Sequence, residues 1–196
     1  MKKGVYFFIA FLFFTSQKSM AQKINFGIKM GLAFSNCTIK FANPSNSFTS
    51  TSRTGFLLGG VLNVAVSKNI SFRPECDLVF KGTARSYNYQ GAYNENLSLT
   101  YVDFPLNILY EIENPKGKFS VGAGPVISFR INNNSYTGLE TSNPDIGGNI
   151  VTAYEFPIGF FINLNYTYGF RNISTNKNYI TELKNHYFGI SLGYMF

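Results

Sequence analysis

The chain has 196 residues, of which 45% are hydrophobic and 17% aromatic, with no tryptophan and with 17 Lys and Arg against 10 Asp and Glu. Three of the lysines lie in the predicted leader, and the remaining basic residues are scattered, so the residual charge of +4 does not form the clustered basic surface typical of nucleic-acid binding. About 175 residues follow the leader, which is enough for one domain or for a barrel of eight strands.

The first segment resembles an export signal. Lys2 and Lys3 precede the apolar run Val5–Phe14, and small residues, Ser19 and Ala21, stand where a signal peptidase would cleave. This pattern predicts a signal peptide at residues 1–21 and a mature domain at residues 22–196. The apolar run has about ten residues, whereas a membrane-spanning helix needs roughly twenty. No later segment is both long enough and apolar enough to form such a helix. If the protein lies in a membrane, it must therefore cross it as strands.

The first predicted strand, Ile24–Ser35, alternates strictly between apolar and small or polar residues, which is the pattern of a β-strand with two unlike faces. The last predicted strand, Tyr187–Phe196, also has two unlike faces, with bulky apolar residues on one and glycine and serine on the other. Small residues on one face indicate a narrow, crowded interior, and bulky residues on the other indicate a surface in lipid.

Six further strands are predicted between these two. They are Gly55–Val66, Phe72–Lys81, Tyr101–Glu111, Phe119–Arg130 and two strands within Val151–Arg171, which is too long for one strand and is divided near Ile162-Asn163. The predicted short turns are Ser67–Asn69, Asn114–Gly117 and this division; the predicted long loops are Asn36–Arg53, Gly82–Asn96, Ile131–Asn149 and Asn172–Asn185. Short inner turns that alternate with long outer loops are typical of outer-membrane barrels. The expected fold is therefore an all-β, eight-stranded, antiparallel up-and-down transmembrane barrel.

The third strand indicates which face lies inside, because its charged residues share one face. A charge at the middle of the bilayer costs a few kcal/mol, so this face should point into the lumen. The expected lumen charge network consists of Lys29, Arg73, Glu75, Asp77, Lys81, Asp103, Glu111, Arg130 and Glu155. Its simplest role is a set of salt bridges that fills the lumen. A proton path or a small binding site is the alternative, since paired carboxylates alter each other's proton affinity.

Other classes of site have weaker support. Cys37 and Cys76 lie on strands that are not neighbours, so two free thiols are expected. We expect no metal site and no cofactor, because the chain has no clustered ligands and no phosphate-binding loop. A lipid-modifying hydrolase would need His186, which has no evident serine or acid partner in the sequence, so a non-enzymatic protein is expected. A soluble lipocalin-like carrier would instead require the bulky face to point inward.

Several short motifs together resemble the PorT-like outer-membrane β-barrel family. They are Thr54-Gly55-Phe56 with Gly60, Phe72-Arg73-Pro74-Glu75 with Lys81-Gly82, Tyr101-Val102-Asp103-Phe104-Pro105-Leu106, Gly122-Ala123-Gly124-Pro125 and the run from Tyr166 to Ile173. The resemblance covers essentially the whole mature chain, and it implies the barrel fold, an outer-membrane location and possible service in a gliding-associated secretion system. The chain departs from the family at Asn165, where relatives often carry arginine, with an unusually short predicted turn beside it.

The C-terminal residues also suggest the partners of such a protein. Tyr194 and the terminal Phe196 resemble the signal that the barrel-assembly machinery reads in its clients. The expected partners are thus outer-membrane lipid, that machinery during biogenesis, and an envelope or secretion-system protein that contacts the outer loops of a monomeric barrel. With eight strands, no open channel is expected.

Overall fold

The computed structural model describes residues 24–41, 49–88, 92–132, 143–174 and 180–196. Within its strands, the side chains of residues 39, 41, 49–51, 82–98 and 180 are left undescribed. The predicted signal peptide therefore lies outside the described residues. In these ranges the chain contains no helix of the length and hydropathy needed to cross a membrane.

Eight antiparallel strands form the molecule. They are β1 (Ile24–Phe41), β2 (Thr49–Ala65), β3 (Ile70–Asn88), β4 (Ala92–Asn114), β5 (Gly117–Arg130), β6 (Asp145–Glu155), β7 (Phe160–Gly169) and β8 (Ile180–Met195). Each strand pairs with its neighbour in sequence, and β1 also pairs with β8, so the sheet closes into a barrel without edges. The predicted eight-stranded, up-and-down topology is confirmed.

The two faces of the barrel wall match the predicted alternation. Phe26, Phe104 and Leu192 expose 54%, 37% and 60% of their surface. The residue next to each of them in sequence faces the lumen instead. These residues, Gly27, Asp103 and Ser191, are buried. A soluble cup would need the opposite orientation, so the lipocalin-like alternative does not fit the structure.

The predicted division near Ile162-Asn163 is wrong, because β6 ends at Glu155 and β7 begins at Phe160. The turn between them is closed by two backbone bonds, from the Phe156 N–H to the Phe160 carbonyl at 2.7 Å and from the Gly159 N–H to the Phe156 carbonyl at 2.9 Å. Gly159 has a φ of 90°, which favours glycine. The apolar alternation continues through the turn and conceals it. Asn165 consequently lies inside β7, not beside a turn.

The strands extend into all four of the predicted outer loops, so these loops are shorter than expected. β1 continues to Phe41, β3 continues to Asn88 and β4 starts at Ala92. Pairs such as Thr83 with Leu97 continue the β3–β4 ladder well past the apolar zone. A ladder needs only backbone donors and acceptors, whereas the sequence signal depends on one oily face. Outside the lipid both faces are polar, so the signal disappears although the strand continues.

Apolar side chains pack together at three places along the described part of the lumen. Val61, Phe161 and Met195 form an apolar cluster at the end that carries the short turns. Ala33, Leu57, Val79 and Tyr187 form a second cluster, and Leu99 packs on Tyr101 nearer the opposite end. Charged and amide side chains are buried in the lumen as well, and they form the candidate site.

Candidate functional site in the barrel lumen

Cross-strand register brings distant charged residues into one row. Lys29 lies opposite Gly59, which lies opposite Asp77, and Asp77 lies opposite Asp103. The row continues through Ser128 to Asp145 on β6. A side chain at Gly59 would occupy the position of the Asp77 carboxylate, so the glycine lets Lys29 reach across β2. Three aspartates thus lie in one row of paired residues across β3, β4 and β6.

Lys29 neutralises part of this row. Its Nζ donates to Asp77 Oδ2 at 2.9 Å and to Glu75 Oε2, and all three side chains are buried. A buried ammonium held between two carboxylates has its hydrogen-bonding needs met by charged acceptors, which is the arrangement in which buried charges persist. Lys29 therefore ties β1 to β3 across β2.

Lys81 occupies a second charged position, nearer the outer end. Its Nζ lies 2.6 Å from Asp103 Oδ2 and 2.9 Å from Asp103 Oδ1. The same ammonium lies over the ring of Tyr101 at 4.7 Å and over the ring of Tyr187 at 4.8 Å. Such cation–π contacts strengthen when the cation is desolvated. Lys81 is thus enclosed by one carboxylate and two rings.

A chain of amide and hydroxyl side chains runs along the inner wall of the barrel from β3 to β7. Asn107 Nδ2 donates to Glu75 Oε1 at 3.4 Å, and Asn149 Nδ2 donates to Asn107 Oδ1 at 3.0 Å. The Thr167 hydroxyl then donates to Asn149 Oδ1 at 2.9 Å. These bonds connect β3, β4, β6 and β7, and Asn165 extends the chain through Nδ2 to Thr167 Oγ1 at 3.5 Å. Polar side chains are therefore linked along the inner face of this half of the barrel wall.

The end with the short turns has its own polar cluster around Glu111. Its Oε1 accepts from the Ser71 hydroxyl at 2.8 Å and from Asn63 Nδ2 at 3.1 Å. Lys118 Nζ lies 3.6 Å from Glu111 and 3.1 Å from Glu155, so it connects the two acids. Arg73 Nε donates to Asn63 Oδ1 at 3.4 Å.

Most of the predicted network is found in one lumen. The structure buries Lys29, Arg73, Glu75, Asp77, Lys81, Asp103 and Glu111. Glu155 is half-buried at the inner end, and Arg130 is half-exposed on the lumen side of the outer end of β5. We use the name lumen network for the seven buried residues together with Asn107, Asn149 and Asp145.

Asp145 is a member that the sequence analysis missed, because it was assigned to an outer loop. It is only 4% exposed, and its Oδ1 has no hydrogen-bond partner among the described residues. Its Oδ2 lies 3.4 Å from Asn185 Nδ2. A cavity of about 10 Å³ adjoins it, lined also by Ser128, Thr167 and Tyr187, which is room for about one water molecule. Its inward position in the register of β6 is the signal that could have found it.

The two cysteines lie on opposite faces of the wall. Cys37 is buried in the lumen and its Sγ donates to Asn185 Oδ1 at 3.0 Å, whereas Cys76 points outward. Because they face opposite sides of the wall, Cys37 and Cys76 form no disulfide with each other. In the described part of the chain, no group of three or more His, Cys, Asp or Glu side chains could hold a metal ion.

His186 lies on the outer surface, not in the lumen network. Its ring stacks on Tyr168, with 6.1 Å between the centroids, and its Nδ1 has no hydrogen-bond partner in the described residues. Glu182, the acid four residues earlier, lies within 2.5 Å of Lys40 and 2.8 Å of Lys184 instead. Hydrogen bonds from Lys184 and Lys40 lower the pKa of Glu182 to about 2.

Comparison with known proteins agrees with this architecture. The family described as the outer membrane protein beta-barrel domain matches residues 7–196. The outer membrane protein OprG from Pseudomonas aeruginosa has a similar structure, with a TM-score of 0.55, 12% identity, and coverage of 89% of this chain and 97% of that chain. For the Neisserial surface protein A (NspA) the TM-score is 0.50, with 10% identity and coverage of 87% and 97%. At such identities the likeness concerns the fold alone. No curated protein matches the sequence.

Proposed function

The chain belongs to the family of outer membrane protein beta-barrel domains, and from this premise we propose that it is a non-enzymatic, non-conducting barrel of the bacterial outer membrane. Its function then resides in the outer ends of its strands, which contact another component of the envelope or a surface ligand. The lumen network serves as the internal support that holds these ends in place.

The observation that carries this proposal is the length of the outer strands. β4 has 23 residues and β3 has 19, whereas a strand needs about nine to eleven residues to cross the bilayer. The excess extends on the side opposite the short turns, as a paired hairpin that reaches Asn88 and Ala92. A paired hairpin holds its shape better than a free loop of equal length, so it presents a defined surface to a partner.

The side chains inside the lumen support the proposal that the barrel does not conduct solutes. Buried side chains occupy it from the Phe161 cluster at the inner end to Tyr101 near the outer end, and the amide chain lines its wall. Eight strands leave an interior that side chains can fill completely. A barrel of this kind acts as a platform in the membrane and not as a pore.

Service in a PorT-type secretion system is the more specific form of the proposal. It is supported by the resemblance of the motifs Phe72-Arg73-Pro74-Glu75 and Tyr101-Val102-Asp103 to that family. In the structure, Arg73, Glu75 and Asp103 are lumen residues. These motifs therefore explain the packing of the barrel better than its choice of partner, and the partner has to be sought at the outer hairpins.

The proposal is tested by shortening the β3–β4 hairpin. Replacing residues 85–95 with Asn-Gly joins Ala84 to Asn96, which already face each other, through a two-residue turn. We expect the variant to fold and insert, but to lose the envelope proteins that cross-link to the intact barrel in native membranes, together with any secretion that depends on them. Lys68→Ser, in an inner turn, is the control. Unchanged cross-linking and secretion in the shortened variant would contradict the proposal.

The rival enzyme hypothesis has its own test. A lipid-modifying hydrolase would use His186 as its base, so His186→Ala would abolish the release of acyl chains from outer-membrane lipid. We expect no release from either the intact barrel or the variant, because a catalytic base must reach a nucleophile and an orienting group. Release that disappears with the substitution would establish an enzyme.

A further inference from the structure

Strand β4 extends beyond its neighbour β5 at the outer end of the barrel. The β4–β5 ladder ends at the pair of Tyr101 and Arg130, and just beyond it the Ile131 N–H donates to the Thr100 carbonyl at 2.9 Å. The β3–β4 ladder continues through every residue from Leu99 to Ala92. Within the described ranges, no strand pairs with this part of β4 on the side away from β3. We use the name outer edge for residues 92–99 of β4.

The Thr100 bond fixes the direction of the backbone groups along the outer edge. In an antiparallel ladder, the N–H and C=O of one residue point to the same neighbouring strand, and successive residues alternate between the two neighbours. Thr100 points towards β5, and the β3–β4 register runs from Thr100 to Ala92 without a shift. Every second residue before Thr100 therefore directs its N–H and C=O away from β3. These residues are Ala92, Asn94, Asn96 and Ser98.

The outer edge lies outside the lipid. The outward residues of β4 are apolar or aromatic from Val102 to Ile112, and a strand crosses the bilayer in about nine to eleven residues. The outer edge continues beyond Val102, on the side opposite the short turns. Its backbone groups therefore meet water instead of acyl chains. An exposed strand edge of this kind is a template for pairing with another strand.

The same edge of a second barrel cannot complete this ladder. Two copies in one membrane are related by an axis along the membrane normal, so both β4 strands run from the outer to the inner side. Barrel strands tilt by about 35–45°, so the two edges would cross at roughly 70–90° instead of lying side by side. A lipid headgroup offers no regular row of donors and acceptors. An extended polypeptide does, with the spacing that the edge requires.

We propose that the outer edge binds an extended segment of the partner protein by strand addition. This inference rests on the proposed function, in which the outer strand ends contact an envelope component, and it adds the chemistry of that contact. The segment runs along β4 on the side away from β3 and exchanges backbone hydrogen bonds with Ala92, Asn94, Asn96 and Ser98. In this mode of binding the main chain gives affinity, and alternate side chains of the segment give selectivity.

Hydrogen exchange tests whether the outer edge is open. In the purified barrel in lipid nanodiscs, the four amides that point away from β3 should exchange at least about tenfold faster than the three amides between them, which bond to β3. In native outer-membrane vesicles, where the partner is present, the four amides should become protected. Equal protection of both sets in the purified barrel would overturn the proposal, because another part of the chain or a second copy would already cover the edge.

Proline substitution separates recognition of the backbone from recognition of side chains. Asn94→Pro combined with Asn96→Pro removes two donors from the open side and no bond of the β3–β4 ladder, and an edge strand tolerates proline where the missing N–H faces solvent. Asn94→Ala combined with Asn96→Ala is the matched control, because it changes the same side chains and keeps both donors. Ser98→Pro is the second variant, for use if the proline pair makes the ladder amides exchange fast.

The probe is the partner segment that cross-links to a photoreactive residue at position 95 in native membranes, identified by mass spectrometry and made as a synthetic peptide. We expect the proline pair to weaken binding of this peptide to the purified barrel by about tenfold or more, the effect of losing two backbone hydrogen bonds. The alanine pair should bind it as the intact barrel does. Failure of the peptide to bind the intact barrel would overturn the proposal, since strand addition needs only an extended segment.

The outcomes distinguish this inference from the proposed function on which it rests. Equal binding in the proline and alanine pairs would overturn strand addition. If shortening of the β3–β4 hairpin still removes the cross-linked partner, the proposed function stands and the partner recognises side chains. If neither the shortened hairpin nor the proline pair changes the cross-linked partner, both are wrong.

Discussion

At the scale of single residues, the barrel depends on charges that are buried and paired. Taking charges out of water is costly, and the attraction between partners compensates only when the geometry is good. Lys29 meets this condition with two carboxylates, and Lys81 meets it with Asp103 and two rings. Asp145, whose Oδ1 has no partner in the described part of the chain, does not meet it.

Replacing Lys29 with Met tests how much stability the ion pairs provide. The substitution leaves Glu75 and Asp77 as buried acids without their ammonium, so we expect the free energy of unfolding to fall by about 3–5 kcal/mol. Urea-induced unfolding in lipid vesicles measures the change. Lys40→Met is the matched control: it removes a solvent-exposed pair with Glu182, and such pairs contribute little to stability. Equal losses in the free energy of unfolding would mean that burial does not determine how much an ion pair contributes to stability.

Glu182 provides a pH test outside the membrane. Its pKa falls from 4.5 to about 2, first because of Lys184 and then because of Lys40. A lowered pKa means that the charged form is favoured in the folded state, so its contribution to stability is present above pH 4.5 and disappears as the pH falls towards 2. In an NMR titration of labelled glutamate, Lys184→Met should raise this pKa towards 4.5, and more than Lys40→Met does. The reverse order would contradict this assignment.

At the scale of the strands, proline and glycine determine how the wall is built. Pro74, Pro105 and Pro125 lie mid-strand on β3, β4 and β5, and the ladder of paired residues is interrupted beside each of them. Proline has no backbone donor, so each one removes a ladder bond. Glu75 and Asn107 lie at the same level, and their hydrogen bond joins β3 to β4 through the lumen. The lumen network thus compensates for a weakened part of the wall.

Glycines allow neighbouring strands and side chains to approach closely on the lumen side. A Cβ at Gly31 would lie 2.6 Å from Ser191 Cα, whereas one at the outward Gly60 would meet only Phe26 Cε2, at 4.0 Å. We expect Gly31→Ala to destabilise the barrel by about 1–3 kcal/mol, because the backbone must move. Gly60→Ala should be neutral or stabilising by up to about 1 kcal/mol. Urea unfolding compares them, and equal values would refute this packing argument.

At the scale of the whole molecule, the closed sheet determines which side chains face outward and which face the lumen. Apolar side chains face outward around the cylinder, the charges lie within it, and β1 pairs with β8 to remove both edges. Every strand therefore has two neighbours for its backbone groups, as lipid requires. The same closure brings the buried charged and amide side chains of the described strands together in the lumen.

The filled lumen predicts that vesicles containing the barrel do not leak small sugars. The physical reason is that the buried side chains of Asn107, Asn149 and Phe161 occupy space inside a narrow, eight-stranded lumen. The measurement is the swelling rate of liposomes in isotonic sugar, with empty liposomes and a large porin as controls. Swelling at the rate of the porin would show that the lumen opens in the membrane.

The last residue offers a test of assembly. Phe196 stacks on Phe26 with 6.0 Å between ring centroids, and its N–H donates to the Phe26 carbonyl at 2.7 Å. If the assembly machinery recognises the terminal aromatic, Phe196→Ala should lower the amount of folded barrel in cells severalfold, with less effect on spontaneous folding into vesicles. Phe26→Ala removes the same stack but keeps the terminus. Equal losses in the two variants would assign the effect to packing alone.

The strand pattern could be predicted from the sequence because alternation is local. Each residue in a strand faces opposite to its neighbours, so the inward position of Asp77 and the outward position of Phe104 follow from adjacent residues. Seven members of the lumen network were identified for this reason. Asp145 was not, because its strand was assigned to a loop, and the turn at residues 156–159 was concealed by the same alternation.

The sequence by itself determined the strand count, the direction of each described apolar face and the need for a charged interior, since these depend on side-chain order and on the cost of charge in lipid. Only the tertiary structure decided which partners meet. Lys29 reaches Asp77 because Gly59 leaves space between them, and Asn107 reaches Asn149 across β5, where Gly124 lies opposite Asn149. The lengths of the outer hairpins were also a tertiary outcome, because backbone pairing continues where the hydrophobic pattern has ended.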